Sequence, residues 1–261
     1  MIYIESKDNK IYKEIKKLKS KRYRLTYNRY LIEGLRFVEE AVKSQINIIR
    51  LIMTEDFYNK HREDFDLFTG LSIVLLKDSL FHELSDTEKP QGIIAEVEMM
   101  NLRPEIKDGI FILVDRIQDP GNLGTIIRTA DAVGALGIIC TKGTVDYLNE
   151  KVLRSTMGAV FRMPIILEEE DMTFIKGLKE NGFKLLGTTL QTNNSVYDCD
   201  LSGRIVICIG NEGNGISSEV LDLCDMKAII PMPGKAESLN AAIAASVIIF
   251  EALRQRLMFN A

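Results

Sequence analysis

Histidine and cysteine, the most common ligands of zinc, are scarce in this chain of 261 residues. The two histidines are His61 and His82, and the four cysteines form no CxxC pair: Cys140, Cys199, Cys208 and Cys224. Because these residue types do not cluster in the sequence, we expect no zinc site and no catalytic metal. The cysteines are predicted to be reduced core residues of a cytosolic protein.

Long apolar runs are also missing. The longest one near the carboxyl end, Ala241–Phe250, is interrupted by one serine and is too short to span a bilayer. The first residues, MIYIESKDNK, lack the basic-then-apolar layout of a secretion signal. We therefore expect a cytoplasmic protein without a membrane partner.

The net charge of −4 is unevenly distributed along the chain. Residues 1–50 contain 13 Lys and Arg against 6 Asp and Glu, a charge of +7, so the other 211 residues carry −11. A basic arm on an acidic body is typical of proteins that bind nucleic acids. A solvated lysine-rich helix would have the same composition, and the charge alone does not decide between the two.

The basic arm has helical spacing. In Lys10–Lys21 the apolar residues Ile11, Ile15 and Leu18 recur at positions i, i+4 and i+7, which predicts a short amphipathic helix. Tyrosines alternate with arginines in residues 22–30, a combination that suits stacking on single-stranded RNA. Tyrosines on a helix also serve ordinary packing.

Helical and strand-like segments alternate in residues 1–98, which predicts a small α/β domain. A proline and the loss of apolar periodicity mark residues 99–108 as a linker. Residues 30–34 are predicted to begin a helix. The predicted elements are helix Gly34–Lys43, strand Ile48–Thr54, strand Ser72–Leu76, helix Asp78–Leu84 and strand Gly92–Val97.

The same alternation continues through residues 109–261 and predicts a parallel sheet covered by helices on both faces. The predicted elements are strand Ile110–Val114, helix Leu123–Val133, strand Gly137–Cys140, helix Asn149–Met157, strand Pro164–Leu167, helix Met172–Asn181, strand Lys184–Thr188, strand Ile205–Ile209, helix Ser217–Leu223, strand Ala228–Ile230 and helix Ser238–Leu257.

Gly210–Gly215 forms a glycine-rich loop with the sequence GNEGNG directly after an apolar strand. Its order, GxxGxG, is not the dinucleotide fingerprint GxGxxG, and Ile216 stands where a P-loop requires lysine. The loop carries an acid, Glu212, so a polyphosphate is disfavoured and a ligand with positive charge or hydroxyl groups is favoured. A second loop of this kind follows Ala228–Ile230, which suggests one pocket built from adjacent strand ends.

Three short motifs occur in order, each between a strand and a helix: Asn122-x-Gly124-x-x-x-Arg128, Gly210-Asn-Glu212-Gly213-x-Gly215, and Ile230-Pro231-Met232 followed by Ser238-Leu239-Asn240. Together they resemble the motifs of the SpoU (TrmH-like) RNA ribose methyltransferases of the SPOUT class. The segments LIEGLRFVEEA and QGIIAEV are similar to the L30e-like substrate-binding domain that often precedes them.

The resemblance implies an α/β fold whose carboxyl-terminal segment is threaded through a deep trefoil knot. It also implies S-adenosylmethionine as cofactor, a homodimer, and methylation of a ribose 2′-OH in structured RNA. We expect 23S rRNA rather than tRNA, because this domain arrangement is commoner among the rRNA enzymes. A tRNA 2′-O-methyltransferase and a non-catalytic RNA-binding protein on the same fold are the alternatives. An enzyme acting on a small nucleotide would not need the basic arm.

By position in these motifs, the resemblance assigns four residues to cofactor binding: Gly210, Ile230, Leu239 and Met232. Thr188, at the end of a neighbouring strand, is a further candidate for the edge of the cofactor site, and a strand-end hydroxyl that satisfies a turn is its alternative. The resemblance assigns five others to catalysis: Arg128, Asn122, Glu212, Ser238 and Asn240. Ordinary core packing is the alternative for the isoleucine and the leucine. Capping of the last helix is the alternative for the serine. The glutamate is expected either to orient Arg128 or to hold its own loop.

Arg128 has two alternative roles. In the family this arginine is proposed to remove the 2′-OH proton, but neutralising an arginine at pH 7 costs about 9 kcal/mol. A guanidinium that grips the target phosphate and stabilises the developing alkoxide requires no such change. The last helix is apolar around most of its circumference, so we expect it to be buried partly on the sheet and partly in a dimer interface.

Overall fold

The structure is a computed structural model that describes residues 1–62, 70–168 and 170–259. It divides into two compact units, Met1–Asn101 and Leu102–Ala261. The division falls within the segment 99–108, which the sequence predicts as a linker. In the described residues, no helix is long and apolar enough to cross a membrane.

The first unit contains a five-stranded mixed sheet with helices. Its elements are β1 (Ile2–Ile4), α1 (Lys10–Lys17), α2 (Lys21–Tyr27), β2 (Arg29–Glu33), α3 (Leu35–Lys43), β3 (Ile48–Thr54), α4 (Glu55–His61), β4 (Ile73–Leu76), α5 (Asp78–Leu84) and β5 (Ile93–Glu98). The strand order is β1-β4-β3-β5-β2. Strands β1, β4 and β3 are parallel, whereas β5 is antiparallel to both β3 and β2.

Residues 29–33 form a strand, so the predicted beginning of a helix there was wrong. Tyr30 and Ile32 point into the core, and β2 pairs antiparallel with β5. Asn28 ends the preceding helix in the left-handed conformation at φ 55°, and Gly34 has φ 102°. Both conformations interrupt a helix, so the chain between them is extended. The edge strand β1 was not predicted at all.

The amphipathic helix of the basic arm is shorter than predicted, since α1 ends at Lys17. Ile15 and Leu18 are buried as expected, but Tyr12, rather than Ile11, takes the third buried position. A tyrosine can be buried there because its hydroxyl donates to the Leu80 carbonyl at 3.3 Å.

Most of the aromatic and basic residues in 22–30 have contacts within the first unit. Tyr30 lies in the core, and the buried Arg24 donates to the carbonyls of Leu18 and Lys19. Arg29 forms an ion pair with Glu96. Tyr23 and Tyr27 stack on each other, with ring centroids 6.0 Å apart.

The second unit is a six-stranded, fully parallel sheet with helices packed on it, which confirms the predicted architecture. Its elements are β6 (Ile110–Val114), α6 (Pro120–Ala132), β7 (Gly137–Cys140), α7 (Glu150–Thr156), β8 (Ile165–Leu167), α8 (Thr173–Glu180), β9 (Lys184–Thr188), β10 (Ile205–Ile209), α9 (Ser218–Leu223), β11 (Met226–Ala228) and α10 (Ala241–Phe259). The strand order is β11-β9-β10-β6-β7-β8, and a buried apolar cluster lies against each face.

Two predicted elements near the carboxyl end have wrong boundaries: the strand predicted at Ala228–Ile230 is Met226–Ala228, and the last helix begins later than predicted. Strand β11 ends at Ala228, and Ile229 forms only an isolated bridge with Ser195. Helix α10 begins at Ala241, three residues after the predicted start at Ser238. The chain between these two elements is irregular and is available to line a site.

Within one chain, helix α10 is buried on one side, as predicted for its sheet-facing part, and burial of the other side in a dimer interface stays a prediction. Its inner face packs on α6 and β10. Its outer face carries a stripe of exposed apolar side chains: Ile243, 55% exposed, Phe250, 50%, and Leu257, 62%. Near its end, Gln255 accepts a hydrogen bond from the Leu201 amide at 2.7 Å. The trefoil knot that the resemblance implies stays a prediction.

Candidate cofactor cavity and catalytic residues

A cavity of about 440 Å³ opens at the carboxyl ends of β9, β10 and β11. Its walls are the segment after β9, the glycine-rich loop after β10, and the irregular chain between β11 and α10. Carboxyl ends of neighbouring parallel strands meet at one edge of a sheet, and ligands commonly bind there.

The five residues predicted to bind a cofactor all line this cavity: Thr188, Gly210, Ile230, Met232 and Leu239. Leu239 is exposed and is not part of the core. Ile230 is half-buried and packs against the buried core cluster of the second unit. The Thr188 hydroxyl donates to the Cys208 carbonyl at 2.9 Å, which satisfies that strand end. Of the predicted catalytic residues, Glu212 and Ser238 line the cavity as well.

The glycine-rich loop folds back tightly on itself. Asn211 and Gly215 exchange two backbone hydrogen bonds of 2.9 Å each. A Cβ on Gly210 would lie 2.2 Å from both the Gly215 carbonyl carbon and the Ile216 nitrogen. Only glycine fits at this position, because no side chain atom tolerates backbone atoms at that distance.

Asp115, which the sequence interpretation missed, holds this loop against the end of β6. The side chain is 1% exposed, and its Oδ2 accepts a hydrogen bond of 2.6 Å from the Ser217 amide. Its Oδ1 accepts from the Thr141 hydroxyl at 2.8 Å. An aspartate directly after the apolar run IFILV was the available signal, since a buried carboxylate must have partners.

Three side chains connect the three motif loops. Asn122 Nδ2 donates to Glu212 Oε1 at 2.7 Å, and Asn240 Nδ2 donates to Asn122 Oδ1 at 2.9 Å. The carboxylate only accepts, so it fixes the orientation of the Asn122 amide, which in turn fixes Asn240. Of the two predicted roles for Glu212, this contact matches loop holding rather than orientation of Arg128.

The cap of the last helix is Asn240, so the proposal that Ser238 caps it was wrong. Asn240 Oδ1 accepts from the amides of Ala242 and Ile243 at 2.9 and 3.2 Å. Ser238 lies outside the helix at the cavity, and no described residue forms a hydrogen bond with its hydroxyl.

Arg128 lies on the exposed side of α6 and does not line the cavity. Among the residues that the structure describes, none forms a hydrogen bond or an ion pair with its guanidinium. One turn earlier on this helix, a Cβ on Gly124 would lie 2.3 Å from Ser155 Cβ, so the glycine permits close packing of α7. The structure therefore brings Asn122, Glu212 and Asn240 together and leaves Arg128 available to a substrate.

The charge of the cavity excludes some ligands. Of the described residues that line it, Glu212 and Glu237 are acidic, and none is lysine, arginine or histidine. A polyphosphate would find no cation there, whereas a positively charged ligand would be attracted. In the described part of the chain, no group of three or more His, Cys, Asp or Glu side chains could hold a metal ion.

Known proteins resemble both units. Residues 109–250 match the SpoU rRNA Methylase family, and residues 9–95 match the MRM3-like substrate binding domain. The chain is 38% identical over 253 residues to the 23S rRNA (guanosine(2553)-2′-O)-methyltransferase RlmP of Bacillus subtilis, a match covering 96% of this chain and 98% of the relative.

Solved structures agree with the sequence matches. The SpoU methyltransferase AviRb from Streptomyces viridochromogenes in complex with the cofactor AdoMet has a TM-score of 0.86 and 30% identity, covering 95% of this chain and 98% of that one. The AdoMet-bound rRNA methyltransferase from Sinorhizobium meliloti has a TM-score of 0.82 and 30% identity, covering 97% of this chain and 98% of that one.

Proposed function

The chain belongs to the SpoU rRNA Methylase family, and from this premise we propose how its residues bind the cofactor and transfer the methyl group. It is an S-adenosylmethionine-dependent rRNA 2′-O-methyltransferase with the fold of the SPOUT methyltransferases. The predictions of family, sheet architecture, cofactor and reaction are thereby confirmed. The roles proposed below for individual residues depend mainly on one observation, the cavity at which the motif loops converge.

The lining residues of the cavity and their charge suit S-adenosylmethionine. Gly210 lacks the Cβ that would clash with the Gly215–Ile216 backbone, so its loop can close and form one wall of the cavity. Ile230, Met232 and Leu239 offer apolar surface for an adenine, and Glu212 and Glu237 supply negative charge. When bound, this cofactor supplies an electrophilic methyl group on a sulfonium. We assign Thr188 to the edge of the same cavity.

Arg128 is proposed to act on the RNA rather than on the cofactor. It is exposed, and its guanidinium has no partner among the described residues, so it can bind the phosphate of the target nucleotide in a bidentate manner. From there it stabilises the negative charge that develops on the 2′ oxygen as the hydroxyl loses its proton. The proton passes to a phosphate oxygen or to water, because an arginine neutral at pH 7 would cost about 9 kcal/mol.

Asn122, Glu212 and Asn240 hold the catalytic loops in one arrangement. Their hydrogen bonds of 2.7 and 2.9 Å join residues that are far apart in the sequence. Orientation of this kind accelerates a displacement because the reacting atoms start near their reactive distance. Ser238 has a hydroxyl without a partner among the described residues. We assign this hydroxyl and Asn240 to orientation of the target ribose.

The substrate is proposed to be 23S rRNA, with the first unit as the part that binds RNA. The full-length similarity to RlmP includes the residues that match the MRM3-like substrate binding domain. We propose the boundaries 1–98 for this domain, 99–108 for the linker and 109–261 for the methyltransferase domain. Guanosine 2553, which the name of the Bacillus relative specifies, is the first position to examine. An rRNA substrate favours action in the cytoplasm.

A homodimer is proposed from the outer face of α10. Ile243, Phe250 and Leu257 recur every seven residues and are each at least half exposed, so they form one apolar stripe. Phe250→Asp would place a charge in the centre of that interface and should convert a dimer into the 29.5 kDa monomer in light scattering. Leu167→Asp, on the exposed edge strand β8, is the matched control and should remain dimeric. A wild-type monomer at micromolar concentration would contradict the assignment.

Mapping of ribose methylation tests the proposed substrate. In rRNA and tRNA from cells with and without the gene, we expect one 2′-O-methyl group to disappear from 23S rRNA and none from tRNA. Loss confined to tRNA would overturn the substrate assignment, and an unchanged map would overturn the activity in the cell.

A further inference from the structure

A second cavity, of about 590 Å³, lies in the first unit. It opens where β3 ends at Thr54, between the start of α3, the helices α4 and α5, and residues 90–92. This volume is within the range of small-molecule and nucleotide sites. The proposed methyl-transfer site lies in the second unit, so that site does not account for this cavity in the first unit.

The walls of this cavity are fixed by close contacts. Gly92 has φ +90°, and a Cβ there would lie 2.6 Å from Thr54 Oγ1 and 2.9 Å from Phe57 Cβ. Thr54 Oγ1 also accepts from the Phe57 amide at 3.2 Å and caps α4. Gln91 Oε1 accepts from the Leu35 amide at 2.9 Å, which leaves the amide hydrogens of Gln91 as donors. A cavity with such walls is preformed.

Both histidines of the chain line the cavity. The His61 ring is stacked on Phe57, with ring centroids 4.3 Å apart and an angle of 23° between the planes. Planar side chains of this kind suit stacking with a base, and proteins that read RNA by sequence use them for unstacked bases.

Within the described part of the first unit, two cations at this cavity take part in no ion pair. Arg36 and Lys60 line it and are exposed, and no described residue forms an ion pair with either. By contrast, several lysines in and around α1 pair with nearby acids within the first unit: Lys7 and Lys16 with Glu83, Lys13 with Asp8, and Lys19 with Asp86. Many lysines of the basic arm therefore form ion pairs within the first unit.

Acids balance these two cations. Asp56 and Asp78 also line the cavity, so it offers donors and acceptors and no large excess of either charge. A polyphosphate would be repelled by the two carboxylates, whereas a neutral base with a single phosphate satisfies both kinds of group.

We propose that this cavity binds one unstacked nucleotide of the RNA substrate, with the base inside and its phosphate on Arg36 and Lys60. The inference rests on the proposed function, since it locates where the first unit holds the rRNA. Single-stranded loops and bulges present such nucleotides, and their exposed edges carry the sequence information. The cavity would select the RNA, while the second unit carries out methyl transfer.

The double variant Arg36→Ala/Lys60→Ala tests this proposal, with Lys43→Ala as control. Lys43 lies two turns after Arg36 on α3, is exposed and does not line the cavity. The probe is an unmodified 23S rRNA transcript in filter-binding and methyl-transfer assays. The double variant should raise KM and Kd for the transcript by roughly tenfold or more, with kcat and cofactor affinity unchanged. The control should stay within twofold.

A second measurement identifies the contacting base. The same transcript containing 4-thiouridine or 6-thioguanosine should cross-link to peptides from α4 or residues 90–92. Transcript binding by the double variant within twofold of wild type, or cross-links confined to other peptides, would overturn the inference. Tight binding of free guanosine or uridine monophosphate with unaltered RNA affinity would also overturn it, since the cavity would then be a small-molecule site. A wild type that methylates no RNA would instead refute the proposed function.

Discussion

Replacing Gly210 by alanine would place a methyl group inside the closed glycine-rich loop. The new Cβ would lie 2.2 Å from the Gly215 carbonyl carbon and the Ile216 nitrogen, whereas ordinary contacts begin near 3.4 Å. The backbone on the far side must therefore move by about 1 Å, against two backbone hydrogen bonds of 2.9 Å and the bond from the Ser217 amide to Asp115. We expect the free loop to open and relieve this contact, whereas the wall of the cofactor cavity is formed by the closed loop.

The expected cost in binding free energy follows from this displacement. Overpacking of this size costs about 1–3 kcal/mol, which corresponds to a loss of roughly 5- to 150-fold in cofactor affinity. Gly213→Ala is the matched control in the same loop, because its Cβ would lie 3.6 Å from Asn211 Oδ1, an ordinary contact. We expect that variant to bind within about twofold of wild type.

Calorimetric titration with S-adenosylhomocysteine measures both variants. Thermal unfolding without ligand separates a binding defect from a folding defect, because Gly210→Ala should unfold within a few degrees of wild type while gaining less from added ligand. Equal affinity of Gly210→Ala and wild type would refute the tight-loop argument. Equal losses in Gly210→Ala and Gly213→Ala would refute it too.

Two further predictions concern hydrogen bonds in the second unit. Asn122→Asp would set a carboxylate against Glu212 across a 2.7 Å contact, so kcat/KM at pH 7 should fall by about 10- to 100-fold, and an unchanged kcat/KM would contradict this. Hydrogen bonds from Arg254 and Gln255 lower the pKa of the Glu251 carboxyl, against the opposing effect of burial. A lowered folded-state pKa gives stability that is present above the unfolded-state pKa and lost as pH falls through the folded-state value. The melting temperature of wild type should therefore exceed that of Glu251→Gln at pH 7 and converge with it towards pH 3, and a difference independent of pH would contradict this.

The second unit was predictable because its strands are buried on both faces. Residues such as Ile110–Val114 and Ile205–Ile209 are apolar at every position, and both strands have the predicted bounds. The helices between them follow from capping residues near their starts. For α6 the predicted start at Leu123 was three residues late, because Asp119 accepts from the Asn122 amide at 2.8 Å and caps a helix that begins at Pro120.

The first unit was harder to predict because its short strands depend on distant partners. Residues 29–33 contain three consecutive apolar residues, Tyr30, Leu31 and Ile32, a run too short to distinguish a strand from a helix. Their pairing with β5, more than sixty residues later, stabilises the extended form. Such long-range contacts are absent from local sequence patterns.

The residue types of the candidate site could be predicted, but their partners could not. Ser238 and Asn240 are both good helix caps, and the sequence offers no reason to choose between them. In the structure Asn240 caps the helix, and its side-chain amide also donates to Asn122. Likewise, Glu212 has Asn122 as its partner because two loops ninety residues apart meet at one sheet edge.

The central claim is that the cavity at the three loops and Arg128 together methylate a ribose. The most direct measurement is transfer of tritium from methyl-labelled S-adenosylmethionine to an unmodified 23S rRNA transcript by wild type and by Arg128→Ala. With wild type we predict one labelled nucleotide whose phosphodiester resists alkali. For the variant we predict a loss of roughly 100-fold or more in rate, with cofactor affinity retained. Label on a base, or equal rates for the two proteins, would contradict the central claim.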